Sequence, residues 1–311
     1  MTDTTGTLPL HLSAVLCTRN RPDLVGTALR SVLNNEYPSF DLVVVDQSDD
    51  DGTAAIVRRL QTQYLNLRYI HTKRVGLSAA YNTGIASSSG EIIAFTDDDC
   101  KAPIDWLAQI ERAFAHNPDI SLLYGQVLAP NELRTVPGVV PEWKIARRRR
   151  VSKQSRLASY GMGANFAARR RLFAAIGGFD EALGGGGPLR SSQDFDLQYR
   201  ASLAGFATLL EPSVHVDHYG HRTSQEWPKT LTAYGVGNGA FYMKHIRCGD
   251  PAAAWMLGKD LGRELARCAI KPLLQRPHSR AYLAGMLQGM RQSLAYPIER
   301  ARRTYVITTP R

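Results

Sequence analysis

The sequence predicts an α/β protein: a mostly parallel central sheet flanked by helices, followed by a helical C-terminal extension. Three observations predict it. The first 130 residues alternate short β-rich runs with helical patterns, as βαβ units do. The run Leu42-Val43-Val44-Val45 is continuously apolar rather than alternating, which is how a strand buried on both faces reads. Beyond residue 225 the β-rich runs stop and the chain turns helical and basic.

The elements follow in order. A first strand is predicted at 12–18, and Leu24, Val25, Ala28, Leu29, Val32 and Leu33 then share one face of a helix. A strand at 41–46 leads to a helix through Ile56, Val57 and Leu60, then a strand at 67–71. Residues 76–87 read as helix, 91–96 as strand, 104–116 as helix and 121–127 as strand. From 130 to 160 the pattern dissolves into a basic loop holding Arg147-Arg148-Arg149-Arg150. Residues 161–220 are short elements around Gly184-Gly185-Gly186-Gly187. The organisation is therefore a domain over 1–225, with halves at about 10–130 and 155–225, and an extension over 226–311.

At 311 residues the chain can bury roughly 75% of its unfolded surface. No stretch is apolar for the roughly 18 residues a membrane span needs. Residues 1–10 carry no Lys or Arg and do not read as a secretory signal, and four cysteines without ligand spacing read as reduced thiols of a cytoplasmic protein. A net charge of +10 suits anionic partners: nucleotides, diphosphates, anionic lipid surfaces or nucleic acid. Nucleic acid is not expected, because the arginine runs (147–150, 169–171) come without a helix-turn-helix, RNP or zinc-finger pattern.

Ligands of open α/β sheets bind beyond the carboxyl ends of the strands. Here those ends carry Thr18-Arg19-Asn20, Asp46-Gln47-Ser48 and Asp97-Asp98-Asp99. Three adjacent carboxylates repel one another, and a hard divalent cation shared with phosphate oxygens would compensate. An acidic turn or helix cap is the alternative reading.

The segments Cys17-Thr18-Arg19-Asn20-Arg21-Pro22, Val45-Asp46-Gln47-Ser48-Asp49-Asp50-Asp51-Gly52 and Phe95-Thr96-Asp97-Asp98-Asp99-Cys100 resemble, in order and spacing, those of glycosyltransferase family 2, over about residues 10–225. The resemblance implies a GT-A fold, a Rossmann-like sheet, and an inverting sugar transfer from a UDP-, dTDP- or GDP-sugar to a saccharide or lipid-linked acceptor in polysaccharide or glycolipid assembly. It implies Thr18 and Arg19 along the nucleotide, Asp46 and Gln47 at the base or ribose, and Arg74 near the nucleotide or free in a loop. Many members carry two acids where this chain has Asp46-Gln47, so the base stays open. Asp97 and Asp98 would meet ribose and metal, and Asp99 the metal, which is Mg²⁺ or Mn²⁺; spacing does not say which carboxylate ligates directly.

Gly177-Gly178-Phe179-Asp180-Glu181 followed by Gln193-Asp194 resembles the family's segment carrying the catalytic base, implying Asp194 in that role, with Gln193 where a glutamate is usual. Losing that negative neighbour should leave Asp194 less raised in pKa and ionised at neutral pH; a helix N-cap is its alternative role. Asn165 is implied to touch donor sugar or acceptor, or else to be a satisfied strand-end amide, and Gln193 belongs to the same side. His218 matches a metal- or diphosphate-side histidine, with His215 and His221 as competitors; zinc is not expected, since neither Cys nor an HExxH helix is seen nearby. The 184–187 glycines read as a loop closing over the donor. A silent binding protein of the same fold is one alternative. A nucleotidyltransferase is another, although it should carry a Gly-rich basic loop after the first strand.

In the tail, Lys259, Arg263, Arg267 and Lys271 recur every four residues, with Leu257, Leu261, Leu265 and Leu273 about half a turn away. Such a helix packs on the domain or docks on an anionic membrane surface. Asp260 and Glu264 dilute the basic face.

Overall fold

The computed structural model describes residues 9–151, 161–270 and 278–307. Residues 1–8, the 155–160 opening of the second half, and Lys271 and Leu273 of the tail lie outside the described residues.

In chain order the elements are β1 (Leu12–Thr18), α1 (Pro22–Leu33), β2 (Phe40–Asp46), α2 (Gly52–Gln61), β3 (Leu67–His71), α3 (Leu77–Ser87), β4 (Ile92–Asp97), β5 (Cys100–Lys101), α4 (Trp106–His116), β6 (Ile120–Leu128), β7 (Arg149–Val151), β8 (Asn165–Arg169), α5 (Arg170–Ile176), α6 (Gln193–Leu203), β9 (Ala207–His218), α7 (Trp227–Arg247), α8 (Pro251–Ile270), α9 (His278–Ser293), β10 (Ile298–Glu299) and β11 (Thr304–Tyr305). Every residue of β1 is buried, as is Asp41 through Asp46 of β2, which accounts for their unbroken apolar runs. Proline opens α1 in its first turn, where its missing N–H costs nothing, and the predicted apolar face is buried apart from the half-exposed Leu24.

The sheet runs β3-β2-β1-β4-β8-β6-β9-β5, with β7 against β9. Strands β1 to β4 are parallel. The second half is mixed rather than parallel. Among the described residues no α-helix lies between β6 and β8, and β8 runs antiparallel to both β4 and β6. Thr96 consequently pairs with Asn165, bringing the start of β8 to the edge where β4 ends. One apolar cluster lies between the sheet and α1, α2 and α4; the other is built on stacked Phe95 and Phe166, centroids 4.4 Å apart.

The arginine runs serve the fold. Arg169 and Arg170 donate to the main-chain carbonyls of Ile120, Phe114, Gly90 and Ile85, and Arg148 and Arg150 pair with Glu211 and Asp119.

The extension is bonded into the first 225 residues. Lys244 of α7, fully buried, holds Asp180 and Asp196 at 2.6 Å each, and the Tyr305 amide donates to Asp180 at 2.9 Å. Helices α7 and α9 cross at glycines: a Cβ at Gly239 would stand 2.1 Å from the Met286 carbonyl, and one at Gly289 closer still to that of Val236. Helix α8 packs through Ala253, Met256 and Leu257. Leu265, expected on that face, is 56% exposed, because i, i+4 spacing drifts about 40° per step around a helix of 3.6 residues per turn. Asp260 and Glu264 dilute the basic face: Asp260 pairs with Arg263 at 2.9 Å while accepting from the Tyr242 hydroxyl, and Glu264 pairs with Arg263 at 3.4 Å and with Arg267 at 2.5 Å. Among the described residues no helix is long and apolar enough to cross a membrane.

Candidate functional site

The ends of β1 and β4 bring Thr18 to the acidic triplet, and its hydroxyl donates to Asp98 at 2.7 Å. Arg21 sits between two of the carboxylates, with Nη1 2.7 Å from Asp98 and 3.1 Å from Asp99. Tyr81 of α3 donates to Asp97 at 3.1 Å. The pairing of β5 with β9 sets Cys100 opposite His218, which carries the imidazole to Asp99, with Nε2 3.4 Å away. Nδ1 of His218 lies 3.0 Å from the Pro141 carbonyl, which only accepts, so Nδ1 bears the hydrogen and Nε2 is aimed at the acids. His221 instead contacts the Pro137 carbonyl, and His215 stays within β9 beside Gln126.

The three acids are electrostatically distinct. Burial, with Asp99 and Asp98 beside it, pushes Asp97 up to about 7. Burial also raises Asp98, against the pull of Arg21 and Thr18. Asp99 stays below the ordinary carboxylate range despite burial, because His218 and Arg21 bond its charged form, and His218 is raised in turn by Asp99. Asp99 and His218 offer carboxylate and imidazole ligands to a cation. Cys100, whose Sγ lies within 4.8 Å of those ligand atoms, corrects the expectation that no cysteine is near. Burial, Asp97 and Asp99 push its thiol up. The carboxylates and the imidazole beside it are ligand types that a divalent cation accepts.

A cavity of about 410 Å³ opens over this group, lined also by Arg19, Gln47, Gly76, Gly185, Gly186 and Arg222. The Gln47 amide is fixed by Gly76, donating to its carbonyl at 3.1 Å and accepting from its N–H at 3.3 Å. Gly76 has φ +131°, a conformation that favours glycine. The glycine loop is pinned to α3, with the Leu77 amide donating to the Gly185 carbonyl at 2.8 Å. Arg19 lines the cavity while pairing with Asp49 at 3.3 Å. Two expected residues are not brought here. Asp46 is fully buried, one oxygen taking the Tyr69 hydroxyl at 2.7 Å and the other the Ser48 amide at 2.8 Å. Arg74 turns to pair with Glu181.

A larger cavity, about 990 Å³, lies between the sheet edge and α7 to α9. Asp194 and Gln193 line it, with Trp143, Trp227, Tyr242 and Tyr282. Asp194 is not the N-cap of α6; Ser192 holds that position. Its two oxygens accept from the amides of Gly163 and Phe195, each at 2.8 Å, leaving lone pairs for a proton from the cavity. Burial raises its pKa, and those amides oppose the rise. Asn165 does not reach the cavity: fully buried, it accepts from Trp106 Nε1 at 3.0 Å and donates to the carbonyls of Gln126 at 2.8 Å and Val214 at 3.3 Å. It is the satisfied strand-end amide.

Sequence reasoning missed three residues. Arg21 stands inside the first motif, just past the end of the strand that pairs with β4, and that position was signal enough. Tyr81 and Tyr234 lack any such signal, being aromatics in helices whose facing depends on the tertiary fold.

The family model for glycosyl transferase family 2 matches residues 13–177. The chain is 39% identical over 106 residues to the glycosyltransferase AglE of Haloferax volcanii, covering 33% of this chain and 34% of that protein. It is 27% identical over 230 residues to the pre-mycofactocin glycosyltransferase of Mycobacterium tuberculosis, covering 69% of this chain and 47% of that one. It thus spans about a third to a half of these relatives' lengths. Among solved structures, the mannosyltransferase PcManGT from Pyrobaculum calidifontis, in complex with GDP-Man and Mn²⁺, superposes with a TM-score of 0.65 at 18% identity, over 92% of this chain and 88% of that one. S. aureus TarS 1–349 in complex with UDP-GlcNAc gives 0.60 at 16% identity, over 91% and 81%. Both likenesses establish the GT-A fold.

Proposed function

Because the chain belongs to glycosyl transferase family 2, we propose that it moves a sugar from a UDP-, dTDP- or GDP-sugar to a saccharide or lipid-linked acceptor hydroxyl, with inversion, in polysaccharide or glycolipid assembly. The observation that carries this reading is the meeting of two cavities at Asp97: one walled by the acidic triplet, Arg21 and His218, the other by a half-buried carboxylate, Asp194. The smaller cavity takes the nucleoside diphosphate, with Gln47 and Arg19 toward the nucleotide and Arg21 and Arg222 toward the phosphates. Asp99 and His218, with Asp98, would hold the Mn²⁺ or Mg²⁺, which when bound would neutralise charge on the departing diphosphate. The acceptor enters the larger cavity, where Asp194 takes its hydroxyl proton. Attack from that side, opposite the leaving group, inverts the anomeric centre. The basic face of α8 would sit on an anionic membrane surface, as a lipid-linked acceptor requires.

The test is a thermal-shift panel of nucleotide-sugars with and without Mn²⁺, followed by transfer assays on the donor that binds. Stabilisation by a donor should need the cation, and Asp194→Asn should lower kcat by about 10²–10⁴-fold with donor binding kept. Metal-independent binding, or unchanged transfer by Asp194→Asn, would sink the assignment.

A further inference from the structure

The two cavities share four lining residues among those described: Asp97, Pro141, Met162 and Tyr234. Tyr234 alone of these comes from the C-terminal extension, on α7. Its side chain is 37% exposed, and among the described residues its hydroxyl has no hydrogen-bond partner. The turn of α7 that carries it is clamped to the residues just before Asp194. Ser191 Oγ donates to the Ala233 carbonyl at 3.0 Å, and Ser192 Oγ donates to Asn238 Oδ1 at 2.6 Å. Gly237 presses on the same segment, where a Cβ would lie 2.1 Å from Ser191 Oγ. Ser192 holds φ +69°, a left-handed conformation that non-glycine residues adopt only when their surroundings impose it. The phenol and Asp194 are therefore set relative to each other by direct bonds.

We propose that Tyr234 is a positioning residue at the reacting centre: its ring closes the junction of donor and acceptor cavities to water, and its free hydroxyl bonds the sugar-diphosphate end of the donor. The inference rests on the glycosyltransferase reading above. In transfer, the acceptor oxygen bonds the anomeric carbon, the bond from that carbon to the diphosphate oxygen breaks with its electron pair leaving on the nucleoside diphosphate, and the acceptor proton goes to Asp194. Water in the acceptor's place would follow the same course and waste the donor as free sugar. Burial, with Asp194 nearby, raises the Tyr234 phenol, so it acts as a donor. A ring at the junction excludes the competing nucleophile, as closing elements do in other transferases.

The experiment measures metal-dependent hydrolysis of UDP-glucose, UDP-N-acetylglucosamine, GDP-mannose and dTDP-rhamnose by the full chain without acceptor, and the Kd of whichever donor binds. Tyr234→Ala should raise hydrolysis at saturating donor about tenfold or more, a barrier difference of one decade in rate, while weakening the donor Kd at least as much as Tyr234→Phe does, since both lack the hydroxyl. Tyr234→Phe should keep hydrolysis low, because the ring remains, and weaken the donor Kd about threefold to tenfold for the lost hydroxyl. A merely structural role would lower binding and hydrolysis together. Hydrolysis by Tyr234→Ala at or below the native rate, with donor still bound, overturns the inference. A native chain that binds and hydrolyses no donor overturns the underlying reading, and this one with it.

Discussion

Replacing Lys244 with Met tests whether the extension is held to the catalytic half by charge. Lys244 is fully buried, and its ammonium lies 2.6 Å from both Asp180 and Asp196. Asp196 would keep Arg200 at 2.8 Å and His245 at 3.0 Å after the substitution. Asp180 would keep only main-chain donors, the amides of Ala182 at 3.1 Å and Tyr305 at 2.9 Å. One buried carboxylate thus loses its counter-charge, while Met retains most of the stem's packing. Leaving a buried charge unpaired costs about 3–5 kcal/mol, and that is the expected loss in urea denaturation. Adding Asp180→Asn removes the orphaned charge and should restore most of it, a coupling the double-mutant cycle reads directly. A single-variant loss under about 1 kcal/mol, or a double variant no better than the single, would show that packing rather than ion pairing joins these segments.

Three further outcomes follow from the same structure. Burial pushes His245 down to about 4, so it folds neutral; its contribution is complete above the unfolded value near 6.5 and falls away as pH drops toward 4. That window is worth about 3 kcal/mol, and His245→Asn should flatten stability measured from pH 7 to 4; an unchanged slope would clear His245 of the effect. Asn165→Ala takes the acceptor from the Trp106 indole and a donor from each of two carbonyls, so it should lose about 1–3 kcal/mol of stability while the donor Kd holds; a selective loss of donor binding would restore Asn165 to the site. Helix α8 exposes Trp255 and Leu265 at 54% and 56% beside Lys259, Arg263 and Arg267, so the full chain should sediment with phosphatidylglycerol vesicles at low salt and less at high salt. Trp255→Ser with Leu265→Ser should cut that partition about tenfold, and no partition at low salt would remove the membrane from the account.

The first half of the fold was legible because its code is local. Strands β1 to β4 are buried on both faces and the helices between them on one, so period and apolar run length mark each element. The acidic edge was legible for the same reason: parallel strands end on one edge, and Thr18, Gln47 and the triplet meet there around one cavity. Asp46 and Arg74 failed at the next level. A residue at a strand end faces the cavity or the neighbouring strand according to twist and partner, and Tyr69 and Glu181, which capture them, lie 23 and 107 residues away. Asn165 failed likewise, since its partners come from α4, β6 and β9. Tyr234 was least visible, because nothing local says that α7 folds back over the edge.

The spacing of α7 makes that return functional as well as structural. Tyr234, Asn238, Phe241 and His245 recur at intervals of four, three and four residues, which keeps them on one helical face over about 16 Å. Along that face Asn238 takes the Ser192 hydroxyl, the Phe241 ring lies 4.4 Å from Phe195, and His245 reaches Asp196 at 3.0 Å. Those three partners belong to the cap and first turn of α6, the turn that also holds Asp194. A helix is stiff over three turns, so the buried ion group at one end of this face and the cavity junction at the other are positioned by a single element. Losing the Lys244 pairs should therefore loosen the register between Tyr234 and Asp194, because the contacts that fix α7 against α6 are the same ones that set Tyr234 in the cavity that Asp194 lines.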